Sequence, residues 1–287
     1  MAYTGETAYI TGGARGIALY LAKDLAAKGM KVALADFNFE GAQNAAKELN
    51  ASGHVAIAIQ VDVGDWESQK TAFETAVQAF GRINYVFPIA GITERPWLPF
   101  QPCEEKYVKP DLSVMDVNAT GALYTCALGV QHFLRQKPDK YGFRGKVIIV
   151  ASACGFYYIP SLPVYTASKH AVVGFVRTYG RHSTAEQITI NAVCPTIVKT
   201  GISVGEFYDK AEAKGLLVSI EHLVEGVESL LGDCQTSGEA LEALPGTGGL
   251  RIKERAEYTN DGCRESVEMT EERTFNAFKA LRTKSQQ

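Results

Sequence analysis

The chain has 287 residues and a formal net charge of −3, with 29 lysines and arginines against 32 acidic residues. This balance gives no electrostatic reason to expect binding to nucleic acid or to an anionic membrane, and the length allows one large α/β domain or two small ones. The six cysteines and five histidines show neither a CxxC pair nor a metal-ligand spacing, so we expect reduced thiols, no bound metal and a cytoplasmic protein without a signal peptide.

Short apolar runs alternate with helical periodicities along the first 200 residues. Strands are predicted at 7–11, 31–36, 55–60, 83–91, 146–152 and 188–194. Helices are predicted at 16–29, 40–51, 66–81, about 113–137 and about 164–184. Nearly all-apolar strands that alternate with helices specify a parallel sheet with helices on both faces. The fold class is therefore α/β, in one domain.

The pattern weakens after residue 200. A helix at 222–233 and a last strand at 239–244 are predicted, and residues 245–287 are polar with a possible helix at about 268–282. We therefore predict a catalytic domain over residues 1–245, with 201–220 as a lid over the substrate. A partly disordered polar extension is expected over 246–287.

A glycine-rich turn, TGGARGIA at 11–18, follows the first predicted strand and opens a helix. Backbone N–H groups at such a helix start can hold a pyrophosphate. Asp36 closes the second strand, where a carboxylate can accept hydrogen bonds from adenosine ribose hydroxyls. An ordinary strand-end aspartate is the alternative for Asp36, but the two features together predict a dinucleotide site.

The segment VYTASK places Tyr165 and Lys169 four residues apart, on one face of a predicted helix. An ammonium group beside a phenol stabilises the phenolate and lowers the phenol pKa, which makes a base available for proton transfer. A solvated surface pair is the alternative interpretation of this spacing.

These motifs, in this order, resemble the short-chain dehydrogenase/reductase family over about residues 5–200. Thr11, Gly12, Gly16 and Ile17 match the family's TGxxxGxG motif, and Ala18 replaces its last glycine. The family's catalytic tetrad is matched by Asn118, Ser152, Tyr165 and Lys169. Segments such as VALADFN are most similar to the branch of 15-hydroxyprostaglandin dehydrogenase and to fungal secondary-metabolite enzymes such as 5'-hydroxyaverantin dehydrogenase.

The resemblance implies a Rossmann-type doubly wound sheet and hydride transfer between a nicotinamide and a carbon that bears oxygen. It assigns Tyr165 as the proton acceptor or donor and Ser152 as the hydrogen-bond partner of the substrate oxygen. Lys169 is expected to lower the pKa of Tyr165 and to bind ribose, and Asn118 to hold a water molecule beside Lys169.

The resemblance also implies which residues bind the cofactor. They are Gly12, Arg15, Gly16, Ile17, Asp36, Phe37, Asp62, Val63, Ala90, Gly91, Tyr165, Lys169, Val198 and Thr200. NAD is expected over NADP, because Asp36 would repel a 2′-phosphate and Phe37 stands where NADP enzymes of the family carry a basic residue. Arg15 favours NADP instead, since its guanidinium could pair with that phosphate.

Two segments depart from the family pattern. The family's NNAG reads PIAG at 88–91, and its PG reads PT at 195–196. Both changes lie on the cofactor side of the site. They motivate a second hypothesis, in which the scaffold catalyses a cyclisation, isomerisation or dehydration with the nucleotide bound. A non-catalytic binding protein is a third, which the intact tetrad disfavours.

Aromatic residues in two loops predict an apolar substrate pocket, with core packing as the alternative. They are Trp97, Phe100, Phe156, Tyr157 and Tyr158. Such a pocket favours a bulky polyketide or terpenoid alcohol or ketone over a sugar. The family resemblance further suggests a homodimer or homotetramer, paired through the helices at about 113–137 and 164–184.

Overall fold

The computed structural model describes residues 3–98, 107–201, 205–246 and 248–284. The chain divides into two compact units between Ile252 and Lys253. The boundary that the sequence suggests at residue 245 stays a prediction.

The first unit is built on one large sheet. Strands in the described residues are β1 Thr7–Thr11, β2 Lys31–Asp36, β3 Ala56–Gln60, β4 Tyr85–Pro88, β5 Gly145–Val150, β6 Ile188–Pro195, β7 Ile197–Val198, β8 Leu217–Val218, β9 Ala240–Ala243 and β10 Leu250–Ile252. Eight of them form the sheet in the order β10-β9-β6-β5-β4-β1-β2-β3, and β7 pairs with β8 separately. Every pairing is parallel except that of β9 with β10. The predicted parallel, doubly wound α/β fold is confirmed, with one antiparallel edge strand that the sequence did not indicate.

Helices connect the strands and cover both faces of the sheet. They are α1 Gly16–Ala27, α2 Phe39–Leu49, α3 Trp66–Phe80, α4 Ser113–Met115, α5 Ala122–Phe133, α6 Pro163–His182, α7 Gly205–Ala213 and α8 Ile220–Glu228, with α9 Asp261–Lys284 in the second unit. The long helix predicted at 113–137 is interrupted, because a π-helical turn, Asp116–Gly121, separates α4 from α5. None of the helices within the described ranges is both long and apolar enough to cross a membrane.

Two buried cores lie on opposite faces of the sheet. Alternate residues of one strand enter different cores, so that Tyr9 belongs to one, and Ala8 and Ile10 belong to the other. Helices α3, α5 and α6 pack on the Tyr9 face, and α1, α2 and α8 pack on the opposite face. Burial on both faces explains why the strands read as continuous apolar runs.

The strand order reverses between β1 and β4, which lie side by side. In open parallel sheets ligands bind at the carboxyl ends of the strands, at such a reversal. Pro88 ends β4 at this point and has no N–H group to donate. The pairing of β4 with β5 ends at Val86 and Val147, although β5 continues to Val150. The sheet is therefore open on one side of β5 at its carboxyl end.

Candidate active site

The turn between β1 and α1 contains two glycines in the left-handed region of backbone conformations. Gly12 has a φ of +77° and Gly16 a φ of +60°. A Cβ atom on Gly12 would lie 3.0 Å from both the Cα and the N atoms of Ala90, so the segment after β4 passes directly against the turn. Only glycine allows both the positive φ and this close approach of the backbone without strain.

Helix α1 begins at this turn with an open N-terminus. The side chain of Arg15, at the N-cap, makes no capping hydrogen bond, and the first turn of the helix carries no acid. The first N–H groups of a helix lack partners within the helix and attract anions. The turn that carries Gly12, Arg15, Gly16 and Ile17 therefore fits the pyrophosphate of a dinucleotide.

Two charged side chains flank the turn and contact different parts of the chain. The Asp36 carboxylate, at the end of β2, accepts hydrogen bonds from the backbone N–H groups of Ala14 at 2.9 Å and Asn38 at 2.8 Å. Arg15 extends towards the segment after β7, where its Nη1 atom lies 3.3 Å from the position that a Cβ on Gly201 would occupy. Asp36 is therefore bound to the glycine turn, whereas Arg15 reaches the base of the predicted lid.

The PIAG segment is held by its neighbour strand. The Thr11 hydroxyl oxygen accepts hydrogen bonds from the N–H groups of Ile89 at 3.1 Å and Ala90 at 3.2 Å. These two bonds fix the backbone of the segment beside the glycine turn, although both asparagines of the family motif are missing.

Asn118 lies in the π-helical turn and is almost fully buried. Its Oδ1 accepts from the Ile92 N–H at 2.8 Å, and its Nδ2 donates to the Ile92 carbonyl at 2.9 Å and to Ser168 Oγ at 3.3 Å. A Cβ on Gly91 would lie 3.3 Å from Asn118 Oδ1 and 3.8 Å from Lys169 Nζ. A larger residue at 91 would therefore fill the space beside both polar groups. Single π-turns of this kind are frequent at functional sites.

Ser152, Tyr165 and Lys169 meet at the carboxyl end of β5. Ser152 follows that strand, and its hydroxyl lies close enough to the Tyr165 side chain to act on the pKa of the phenol. Ser152 Oγ also accepts from the Cys154 N–H at 3.1 Å. On α6, Lys169 Nζ lies 5.6 Å from the centre of the Tyr165 ring and 3.5 Å from the Val150 carbonyl oxygen. The helical spacing thus brings phenol and ammonium to one place, as the sequence predicts.

Burial dominates the electrostatics of this group. It raises the pKa of Tyr165 to about 12, and the hydrogen bond from Ser152 acts in the opposite direction. It also lowers the pKa of Lys169 to about 8, while the nearby thiols of Cys194 and Cys154 act to raise it. The sequence led us to expect a lowered phenol pKa. In the protein itself the pKa is raised, because the loss of hydration of the phenolate outweighs the hydrogen bond from Ser152.

One carboxylate at the site was not predicted. Glu94, three residues after Gly91, accepts hydrogen bonds from the backbone N–H groups of Val164 and Tyr165. A glutamate in a polar loop has no local pattern that indicates a partner 70 or more residues away in the sequence. Only the tertiary structure reveals the contact.

Most of the predicted lid, within the first unit, lies between the two strands of a small parallel pair in the sequence. Val198 in β7 pairs with Val218 in β8, and α7 lies between these strands in the sequence. Thr200 packs against Gly16, since a Cβ there would lie 3.6 Å from Thr200 Cβ. Residues 202–204 of the lid lie outside the described residues.

Thr196, in the altered PT segment, has a buried hydroxyl oxygen. That oxygen has no hydrogen-bond partner within the described parts of the chain. An orphaned polar atom at the carboxyl end of β6 is consistent with a ligand that supplies the missing partner.

The remaining predicted cofactor residues lie at the ends of β2 and β3. Phe37 follows Asp36 with 74% of its surface exposed, and Val63 is buried. Asp62 Oδ1 accepts from the Gly64 N–H at 2.9 Å. These side chains lie at the same edge of the sheet as the glycine turn.

The aromatic residues predicted to contact substrate differ in burial. Trp97 is 39% exposed and Tyr157 is 45% exposed. Phe156 is partly buried against the core on the α6 face, where the Arg177 guanidinium lies 5.3 Å from its ring centre. Tyr158 stacks on His170 with ring centres 5.2 Å apart. Phe100 lies outside the described residues.

Comparison with protein families matches residues 6–210 to the family described as short chain dehydrogenase. The chain belongs to the short-chain dehydrogenase/reductase family. It is therefore an NAD(P)-dependent oxidoreductase by family.

Relatives of known name support this assignment. A short-chain dehydrogenase/reductase of Penicillium rubens is 30% identical over 226 residues, which cover 76% of this chain and 77% of the relative. The human 15-hydroxyprostaglandin dehydrogenase, named as NAD(+)-dependent, is 30% identical over 81% of this chain and 82% of its own length. Among solved structures, the 3-ketoacyl-(acyl-carrier-protein) reductase of Brucella melitensis complexed with NADH superposes with a TM-score of 0.70 at 25% identity, covering 83% of this chain and 96% of that one. The predicted family is confirmed.

Proposed function

We propose that this enzyme interconverts a secondary alcohol and a ketone on a bulky hydrophobic substrate, with NAD as its cofactor. The carrying observation is the group formed by Ser152, Tyr165 and Lys169, which lies at the carboxyl edge of the sheet beside the glycine turn. A bound nicotinamide dinucleotide supplies the hydride acceptor or donor for this reaction. The chain itself supplies the proton transfer and the positions of the reacting groups.

Tyr165 is the proposed proton carrier. As phenolate it takes the proton from the substrate alcohol in oxidation, and as phenol it gives a proton to the carbonyl oxygen in reduction. Because the Ser152 hydroxyl lies close to the Tyr165 side chain, a substrate oxygen placed between them would contact both groups. Ser152 then stabilises the charge that develops on that oxygen.

Lys169 and Asn118 support the proton carrier. The Lys169 ammonium favours the phenolate of Tyr165, and we assign it to the nicotinamide ribose hydroxyls as well. Asn118 Oδ1 accepts one bond from Ile92 and lies near Lys169 beside Gly91, which leaves a lone pair for a water molecule there. Such a water would connect Lys169 to solvent.

NAD is the proposed cofactor, and two contacts support it. Asp36 is held against the glycine turn by Ala14, in a position suited to accept from ribose hydroxyls. Arg15, the residue that could favour NADP, extends instead towards Gly201. The turn, with Asp62, Val63, Ala90, Gly91, Val198 and Thr200, would complete the cofactor site.

The proposed substrate is a polyketide or terpenoid-like alcohol or ketone. Trp97 and Tyr157 present partly exposed aromatic surface on loops that follow β4 and β5, and residues 201–220 would close over the ligand. For Phe156, packing against the core supports the structural interpretation instead.

An alternative is that the scaffold catalyses a redox-neutral cyclisation, isomerisation or dehydration. It is favoured by the two departures on the cofactor side, Pro88 and Thr196. Thr196 places an unpartnered hydroxyl, within the residues described, where the family has glycine.

A cofactor assay separates these functions. Purified protein is mixed with NAD or NADP and with cyclohexanol, menthol or borneol, or with NADH or NADPH and the matching ketones, and absorbance of the reduced cofactor is followed. A net change in reduced cofactor that is seen with the wild type and lost in Tyr165→Phe supports the proposal. Product formation without net change in cofactor supports the redox-neutral alternative. Cofactor binding without any product would contradict both.

We also propose a homodimer or homotetramer in the cytoplasm. Helix α6 exposes Ala171 and Gly174, and a Cβ on Gly174 would meet no other atom of the described chain within 4 Å. A small-residue surface allows two helices to approach closely. The free thiols of Cys126, Cys154, Cys194, Cys234 and Cys263 agree with a reducing compartment.

A further inference from the structure

We infer that Glu94 is a positioning residue, which fixes the start of helix α6 and thereby the place of Tyr165. The inference rests on the proposed role of Tyr165 in proton transfer. Glu94 acts through the backbone, because its carboxylate accepts from the N–H groups of Val164 and Tyr165.

Helix α6 begins without a cap of its own. Leu162 occupies the N-cap position, and its side chain makes no capping hydrogen bond with the first turn. Pro163 opens the helix, and the first turn contains no acidic residue. The N–H groups of the residues that follow therefore need acceptors from elsewhere.

Glu94 supplies these acceptors from the loop after β4. Its Oε2 lies 2.6 Å from the Tyr165 nitrogen, and its Oε1 lies 3.3 Å from the Val164 nitrogen. A carboxylate at a helix N-terminus forms charge-assisted hydrogen bonds and also interacts favourably with the helix dipole. One of the two bonds is made by the catalytic tyrosine itself.

The loop that carries Glu94 is anchored at its other end by Asn118. Both polar groups of the Asn118 side chain bond to the Ile92 backbone. Only Thr93 separates Ile92 from Glu94. Two members of the tetrad, Asn118 and Tyr165, are thus linked through three consecutive loop residues.

This link should matter for the rate of the chemical step. Tyr165 lies in the first turn of α6, where a helix without its cap frays most readily. A misplacement of about 1 Å at a reacting group can cost about a hundredfold in rate. Most of the proposed cofactor contacts lie on the glycine turn and at Asp36, while the bonds of Glu94 go to the start of α6. NAD affinity should therefore change less than kcat.

The test compares Glu94→Ala and Glu94→Gln with a matched control, Asn50→Ala. Asn50 Oδ1 accepts from the backbone N–H groups of Val55 and Ala56, each at 2.8 Å, at the amino end of β3. The control therefore also removes two accepted backbone bonds, together with one that Asn50 Nδ2 donates to the Ala56 carbonyl, but at the opposite edge of the sheet. Kinetics use the panel alcohol that the wild type oxidises fastest, and the NAD dissociation constant is measured by fluorescence titration.

For Glu94→Ala we expect kcat to fall about tenfold to a hundredfold, with the NAD dissociation constant changed less than about twofold. Glu94→Gln should recover part of kcat, because its amide oxygen can still accept from the Tyr165 N–H. Asn50→Ala should lose comparable thermal stability and keep its kcat. An unchanged kcat in Glu94→Ala, or equal losses of kcat in Glu94→Ala and Asn50→Ala, would overturn the inference.

Amide hydrogen exchange provides a readout that needs no turnover. Glu94→Ala should accelerate exchange at Val164 and Tyr165, and Asn50→Ala should not. If the wild type oxidises none of the alcohols, the proposed function fails, and the exchange data still decide whether Glu94 holds the helix start. Unchanged exchange at both amides would refute the positioning role.

Discussion

The carboxylate of Asp36 and the backbone N–H of Ala14 are joined by a hydrogen bond of 2.9 Å, which ties the end of β2 to the glycine turn. The same carboxylate accepts from Asn38 at 2.8 Å. Asp36 therefore has a structural role that is independent of any ligand. Experiments on cofactor binding at this position must distinguish the effect of the carboxylate charge from the effect of its hydrogen bonds.

Asp36→Asn is the variant that makes this separation. It removes the charge but keeps one oxygen that can accept a backbone bond. We expect NADP binding to improve about tenfold to a hundredfold relative to NAD, because a carboxylate near a 2′-phosphate repels it by about 1–3 kcal/mol after screening. Titration of both cofactors into wild type and variant measures the change. Tighter binding of NADP than NAD by the wild type would show that Arg15 dominates.

Tyr165→Phe should abolish turnover and leave dinucleotide binding intact. The substitution removes the hydroxyl that transfers the proton, and a positioned proton carrier contributes about 10²–10⁴ in rate. Steady-state kinetics and a cofactor titration on the same preparation test both parts. Activity near that of the wild type would exclude Tyr165 as the proton carrier.

Lys169→Met should stabilise the folded protein at neutral pH. Burial lowers the pKa of Lys169 to about 8 from its ordinary 10.5, so the unfolded chain binds more protons between these values. Wild-type stability should therefore rise with pH across this window, relative to the variant. The advantage of the variant is about 3 kcal/mol at pH 7 and disappears as the pH approaches 10.5. Urea unfolding of both proteins at several pH values checks this, and a difference independent of pH would contradict it.

Thr196→Val should weaken NAD binding without destabilising the fold. The hydroxyl oxygen that it removes has no partner among the described residues, so its loss costs little in the protein alone. If the hydroxyl bonds the cofactor, its removal should weaken NAD binding by about 0.5–1.5 kcal/mol. Thr189→Val is the control, because Thr189 has a similarly buried and unpartnered hydroxyl oxygen and lies near the amino end of β6. Equal NAD affinity in both variants would exclude this role of Thr196.

Gly174→Glu should produce a folded monomer. Since an added side chain at this position would meet no described atom of the same chain, the fold should tolerate it, and the charge would oppose pairing through α6. Light scattering measures the mass, and Lys47→Glu on α2 serves as a control for added acidity. A wild type that is monomeric at micromolar concentration would refute the proposed assembly.

Local sequence was sufficient where one segment determines the geometry. Periodicity and spacing located the glycine turn, the strand-end Asp36 and the pair of Tyr165 and Lys169, and the family resemblance favoured their functional interpretation over the alternatives. Contacts between distant segments could not be predicted this way, and Glu94 with Tyr165 is the clearest case. The π-turn around Asn118 also escaped prediction, because helical periodicity does not distinguish one inserted residue.

The raised phenol pKa of Tyr165 shows a second limit of sequence reasoning. Spacing identifies the charge partner, but the desolvation that opposes it depends on packing from several elements. Strand β10 was missed because three residues between loops carry little periodic signal.

The paired strands β7 and β8 give the proposed lid adjacent endpoints. Ile197 and Val198 align with Leu217 and Val218, so the segment departs from and returns to neighbouring positions. A connection whose ends are already adjacent can change in length with only a small entropic effect on folding. The part of this stretch that follows Thr200 could therefore be exchanged as a cassette. New substrate ranges could be grafted, or could evolve, by replacing it while the glycine turn and tetrad stay untouched.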